Sequence, residues 1–314
     1  MPGHGRHDAF NDVDGIPASG NRCLLTEILR EKWGFQGCVV TDYTAVSEMK
    51  NHGTAATDAD AAKQSLEAGV DMDMVSEIFL NELPTLVQSG EVSQEILDAA
   101  VMRILEAKWD LGLFADPFLR GGGNISLNRE LAFEAAIESI VLLKNSPALL
   151  PLAKTGSIAV VGPLAESCRD LLGCWMAAGD EKSVISPLDA IREAVGERAK
   201  ITTEIRDETD VVILMLGETY EMSGEAASRT DIRLPKSQRE LAREIAKSGK
   251  PCVLVTFSGR PLDLSWEEAN FPSILHAWAP GIEGGRALAQ MIFGDFSPVG
   301  KLTMGSREMS VSSR

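Results

Sequence analysis

Apolar and polar positions follow two rhythms along this 314-residue chain. Short unbroken apolar runs, such as Cys38-Val39-Val40-Thr41, read as strands buried on both faces. Longer stretches with apolar residues every three or four positions read as amphipathic helices. Residues 24–29 predict a helix that Gly34 and Gly37 break, followed by the strand 38–41 ending at Asp42. A helix over about 59–68 stops at Gly69, and Val70-Asp71-Met72-Asp73-Met74 predicts the next short strand. Ser93 marks the cap of a long helix, with Val92 and Leu97 placed as a hydrophobic staple and Ile96, Ala100 and Ile104 on one face. Strand and helix in alternation are the pattern of parallel α/β units.

The clearest break is Gly121-Gly122-Gly123-Asn124, which predicts a linker over 121–125 between a domain at 1–120 and another at 126–314. Ser126 then reads as the cap of a helix over about 127–143. Strands at 157–161, 210–216, 252–257 and 273–278 alternate with helices near 187–195, 236–248 and 283–293, the first two opened by Ser-Pro or Leu-Pro. The expectation is a mostly parallel, layered α/β domain.

Composition narrows the classes. Hydrophobic residues make up 44% and charged residues 24%, the balance of a soluble globular protein, and no apolar run reaches the ~20 residues of a membrane span. Lys and Arg number 30 against 46 Asp and Glu, and the resulting charge of −16 repels a phosphate backbone, so neither nucleic acid nor membrane is an expected partner. The five cysteines are spread without metal-ligand or disulfide spacing; Cys38 and Cys252 sit in strand-like runs and read as small buried hydrophobes. His4, His7, His52 and His276 are scattered and read as surface or satisfied histidines, which argues against metal and triad chemistry. Residues 1–7 lack the apolar core of a signal peptide.

Carboxylates are plentiful, so position must sort them. Asp42 ends a hydrophobic strand, where parallel α/β folds place reactive groups, although capping the next helix is the competing reading. Glu225 lies in the small-residue loop Met222-Ser223-Gly224-Glu225-Ala226-Ala227-Ser228-Arg229, with Arg229 placed to bias its charge. Glu218 and Glu221 compete for the same role, and a merely solvated acidic loop is the alternative. Asp71 and Asp73 are expected on one face of their strand. Trp175, flanked by small residues, suits either a sugar-stacking platform or an interface plug. The glycines at 281–285 lack the spacing of a phosphate cradle and read as a tight turn.

At these residues the chain resembles the β-glucosidases of glycoside hydrolase family 3, particularly the bacterial periplasmic type. The likeness runs from about Ala9 to Met304. It is carried by Ala9-Phe10-Asn11, Gly15-Ile16-Pro17-Ala18, Trp33-Gly34-Phe35-Gln36-Gly37, Val39-Val40-Thr41-Asp42-Tyr43 and Ala68-Gly69-Val70-Asp71-Met72-Asp73-Met74. Leu111-Gly112-Leu113-Phe114, the run Glu138-Ser139-Ile140-Val141-Leu142-Leu143-Lys144-Asn145 (read as helix), Ser223-Gly224-Glu225 through Arg229, and Ser297-Pro298-Val299-Gly300-Lys301-Leu302 complete it. The resemblance implies the C-terminal part of a (β/α)₈-type barrel carrying Asp42 as nucleophile, then an α/β sandwich domain carrying Glu225 as general acid/base. Tyr43, Trp175, Ser223 and Arg229 are the substrate-binding candidates. The implied reaction is retaining hydrolysis of terminal β-linked glucosyl units from β-glucosides or oligosaccharides, without metal or organic cofactor, in a periplasmic or secreted setting. The acid/base should be the more desolvated carboxyl of the two, or be raised by its partner's charge.

Tyr43 stands where many relatives have Trp, and Cys174-Trp175-Met176 where periplasmic types often show Ser-Trp-Ser, which removes two hydroxyls from the sugar's reach. A full barrel takes about 250 residues, and only some 120 precede the glycines. The chain is therefore expected to be a truncated family member, inactive or nearly so alone, with an open barrel edge prone to self-association. A β-xylosidase of the same family is one alternative and a non-catalytic carbohydrate-binding or scaffolding fragment another; the Ser-Gly-Glu loop argues against an N-acetylglucosaminidase.

Overall fold

Of the 314 residues, the computed structural model describes 5–118, 128–177 and 179–303, in two units, Met1–Ile125 and Ser126–Arg314. The glycine run at 121–124 and Ser126 lie outside the described residues.

The first unit opens with β1 (Gly5–His7), a small antiparallel pair β2 (Asp12–Val13) and β3 (Ile16–Pro17), a helix at Cys23–Lys32, and β4 (Cys38–Val40), which runs parallel to β1. The helix is wide, of π type: the N–H of Trp33 reaches the carbonyl of Ile28, five residues back. Four α-helices follow, α1 (Ala45–Glu48), α2 (Asp58–Ala68), α3 (Ile78–Gln88) and α4 (Gln94–Asp110). Thr57 and Asp60 form a capping box on α2, and Gly69, at φ 118°, closes it in a conformation that favours glycine. Ser93 caps α4 through the N–H of Ile96. Leu66, Leu83, Leu86, Val46 and Met49 centre the helical core, while Leu25, Val39, Ala68 and Val70 form a smaller cluster under β4.

Residues 70–74 do not form the expected strand. They meet β4 at a single bridge, Val40 to Met72, because the N–H groups of Asp71 and Met72 both turn onto the carbonyl of Val39. The cause is Asp71. Its wholly buried carboxylate accepts from the Val39 N–H (2.7 Å), Arg30 (2.6 Å) and Arg103 (2.6 Å), which pulls the backbone out of a regular ladder. Asp73 has a separate set of partners, taking the Ser76 hydroxyl and the first N–H groups of α3.

The second unit is a six-stranded α/β layer. α5 (Arg129–Ser139), capped by Asn128, leads into β5 (Val141–Asn145). After β6 (Gly156–Val161) come α6 (Pro187–Val195), β7 (Ala199–Thr202), β8 (Val211–Gly217), α7 (Lys236–Lys247), β9 (Cys252–Phe257), α8 (Ser265–Asn270), β10 (Ser273–Trp278) and α9 (Gly284–Ile292). Strand order is β5-β10-β9-β8-β6-β7, parallel throughout except β5. The helix expected over 127–143 is corrected: it ends at Ser139, and Val141–Asn145 pairs with β10 instead. Side chains alternate across the strands. Ile158, Ile213 and Val253 pack with α5, α6 and α9 on one face; Val212, Leu214 and Leu254 pack with α7 on the other. Among the described residues no helix is long and apolar enough to cross a membrane.

His276 on β10 is 3% exposed. Its Nδ1 meets the Thr256 hydroxyl (2.9 Å), its ring abuts Trp278, and its Nε2 has no partner. Burial alone pushes its pKa down to about 4. The unfolded chain then takes up a proton near pH 6.5 that the folded chain refuses until about 4, so stability is full above pH 6.5 and falls as pH drops. Urea titrations at pH 7 and pH 4.5 should differ by roughly 2–3 kcal/mol from this group, and His276→Gln should flatten that difference.

Candidate active site

The C-terminal ends of parallel strands position the candidate groups. In the first unit, β4 delivers Thr41 buried and Asp42 half-buried just beyond it. Thr41 anchors the turn: its N–H donates to the carbonyl of Met72 and its hydroxyl accepts from the N–H of Met74 (2.8 Å). Asp42 donates its own N–H to Asp8 Oδ1 (2.9 Å), and its carboxylate accepts from the N–H of Tyr43 (2.7 Å), with His7 Nδ1 at 3.8 Å. It does not cap α1, whose first residue follows Thr44 at φ 62° and which has no side-chain cap. Tyr43 is 59% exposed beside it.

Asp8 is a residue that sequence reading missed. It follows β1 as Asp42 follows β4, and parallel pairing sets the two strand ends side by side. Asp8 is buried with Oδ2 lacking a partner, and burial raises its pKa above the ordinary carboxylate value. The polar Gly5-Arg6-His7 ahead of it carries no apolar strand signal, so only the pairing of β1 with β4 brings Asp8 to notice.

In the second unit, β6 is flanked by β7 on one side and β8 on the other. The chain's direction of winding changes between β6 and β8, which is where open parallel sheets bind ligands. The loop after β6 carries Trp175, 75% exposed; the loop after β8 carries Ser223, Gly224 and Glu225. The two loops touch. Gly224, at φ 109°, has no room for a Cβ, which would stand 2.8 Å from Cys174 Sγ. Arg169 lies over the ring of Tyr220, 3.6 Å from its centroid, and donates to the carbonyl of Gly173 (2.6 Å); Asp170 accepts the N–H of Tyr220 (2.7 Å). Ser223 is buried against Gly259, where a Cβ would fall 2.1 Å from the Ser223 hydroxyl.

The three glutamates of this loop separate by environment. Glu218 is wholly buried and ion-paired to Arg229 (3.2 Å) and Arg260 (3.1 Å). Glu221 accepts from the Tyr220 hydroxyl (3.1 Å). Glu225 is exposed and carries no hydrogen bond or ion pair among the described residues. Arg229 therefore neutralises Glu218, not Glu225 as expected. The desolvation expected of Glu225 is likewise not supplied by its own loop. Arg260 was missed because it lies 42 residues beyond its partner. The glycines at 281–285 do form a turn, closed by the N–H of Gly284 on Gly281. Among the described residues no three His, Cys, Asp or Glu are placed to hold a metal ion.

Residues 140–309 match the glycosyl hydrolase family 3 C-terminal domain, and residues 1–107 match its N terminal domain. A periplasmic beta-glucosidase of Salmonella typhimurium is 40% identical over 94% of this chain and 45% of its own length. A beta-xylosidase of Formosa agariphila is 35% identical over 97% of this chain and 46% of its own. The solved beta-glucosidase from Listeria innocua in complex with glucose superposes with a TM-score of 0.79 at 42% identity, over 93% of this chain and 43% of that one. The chain thus spans less than half the length of these relatives.

Proposed function

Because the chain belongs to glycosyl hydrolase family 3, we propose that it takes part in retaining hydrolysis of terminal β-linked glucosyl units, with Asp42 as nucleophile and Glu225 as general acid/base. The observation that carries this reading is that each unit leaves a solvent-reachable carboxylate beyond the C-terminal end of a parallel strand, Asp42 two residues past β4 and Glu225 farther along the loop that follows β8. The first unit is read as part of a (β/α)₈-type barrel and the second as an α/β sandwich domain. The setting is periplasmic or secreted, as the name of the Salmonella relative suggests.

The chemistry divides between the two carboxyls. An ionised Asp42 attacks the anomeric carbon and forms a glycosyl ester while Glu225 gives its proton to the leaving oxygen. Glu225, now a carboxylate, takes a proton from water as that water displaces Asp42, and the anomeric configuration is retained. Tyr43 and Trp175 offer exposed aromatic faces suited to sugar stacking, and Ser223 and Arg229 shape the acid/base loop.

Glu225 is tested by leaving-group dependence. Glu225→Gln should slow hydrolysis of poorly activated alkyl β-glucosides by about 10²–10⁴, and that of dinitrophenyl β-glucoside far less, since only the former needs a proton at departure. Equal slowing of both would remove Glu225 from the role. Parallel β-xylosides decide the sugar.

A further inference from the structure

A single cation reaches around the Glu225 loop. Arg260 leaves the end of β9 through Ser258-Gly259, and its guanidinium meets three acceptors: Glu218 Oε2 through Nε (3.1 Å), and the carbonyls of Met222 and Ala227 (2.6 Å for the latter) through Nη2. Those two carbonyls bracket the segment 223–226 on either side of Glu225. Glu218 is itself fixed, its N–H on the carbonyl of Phe257 (2.8 Å) and its other carboxylate oxygen on Arg229. The loop departs from ordinary backbone at Gly224 (φ 109°) and Ala226 (φ 55°), the two neighbours of Glu225. Something must hold it in that shape, and the glutamate's own side chain contributes nothing to the hold.

The geometry points to Arg260 as a positioning residue: anchored on Glu218, it clamps the carbonyls of Met222 and Ala227 and so fixes the arc that presents Glu225. A guanidinium suits this because its planar fork serves a carboxylate and two carbonyls at once, whereas an ammonium is a point donor on a flexible stem. Arg229 is the second brace on the same carboxylate. The clamp also accounts for Glu218, which stays buried against Arg260 and Arg229, whereas Glu221 and Glu225 are exposed and only Glu221 of the two has a side-chain partner, the Tyr220 hydroxyl, among the described residues.

The inference rests on the acid/base reading of Glu225, yet its test needs no turnover. Amide hydrogen exchange of peptides covering 219–230 is followed by mass spectrometry in wild type, Arg260→Ala, Arg260→Lys and Glu218→Gln. Loss of hydrogen bonds to a charged donor should speed exchange in this segment about tenfold or more in Arg260→Ala, with β6 and β8 peptides unchanged. Arg260→Lys should fall between. Millimolar guanidinium, far below denaturing levels, should restore protection in Arg260→Ala but not in Glu218→Gln, where the anchor is gone. Exchange within twofold of wild type in both Arg260 variants would overturn the clamp, as would loosening of the whole unit in Arg260→Lys with no rescue in Arg260→Ala. A loop that loosens as expected beside a Glu225→Gln chain with no leaving-group dependence would keep the clamp and discard the acid/base.

Discussion

Asp42→Asn is expected to abolish covalent capture of a 2-deoxy-2-fluoro-β-glucoside bearing a good leaving group. Intact-mass measurement should show one added glycosyl unit on the wild type and none on the variant. The fluorine slows both steps and the leaving group restores the first, so the ester accumulates even where turnover is slow. Asn keeps the shape and can still accept from the Tyr43 N–H, so the loss reports the missing negative nucleophile rather than a disturbed turn. Any measurable hydrolysis of aryl β-glucosides should fall about a thousandfold or more. Peptide mapping identifies the labelled side chain. An adduct on Asp73, Asp8 or any other carboxylate, or capture that survives in Asp42→Asn, would overturn the assignment.

Asp71→Ala should cost the fold more than any other single change considered. The carboxylate is sealed from solvent between Arg30 and Arg103, and also takes the N–H of Val39 at the middle of β4. Removing it leaves two guanidinium groups facing each other, one of them, Arg30, nearly buried and also serving the carbonyls of Gly37 and Gly69. Breaking one partner of such a network costs roughly 3–5 kcal/mol, to be read from equilibrium urea unfolding. Arg103→Ala, whose side chain is 27% exposed, should cost well under half of that. An Asp71→Ala chain within 1 kcal/mol of wild type would show that the network is decorative.

What the sequence could show followed from how local the cause was. β8, β9 and β10 are continuous apolar runs, and their bounds were legible to within a residue or so, as were α6, announced by Ser186-Pro187, and α2, stopped by Gly69. β5 was not legible, because the period of α5 runs straight into Ile140-Val141-Leu142-Leu143 and the decision rests with β10, over a hundred residues later. α3 was hidden by Pro84 within it, and β7 is a four-residue edge strand with little apolar signal. Residues 70–74 looked like a strand until the needs of Asp71 broke their pairing. The site divided the same way. Asp42 stood out at the end of its strand and Glu225 in its small-residue loop, but Asp8 beside the first and Arg260 beside the second become visible only when distant segments are brought together.

The contact between Ser223 and Gly259 sets the latitude for redesigning this loop. With the Ser223 hydroxyl 2.1 Å from where a Cβ on Gly259 would lie, Gly259 cannot gain a side chain unless Ser223 gives way. Gly224 is barred by Cys174 on its far side. An engineer seeking a new leaving-group preference would find room at the exposed Ser228, whereas the exposed Ala226 sits at φ 55°, which bulky side chains disfavour, so diversity libraries belong at Ser228 and the glycines are best left untouched.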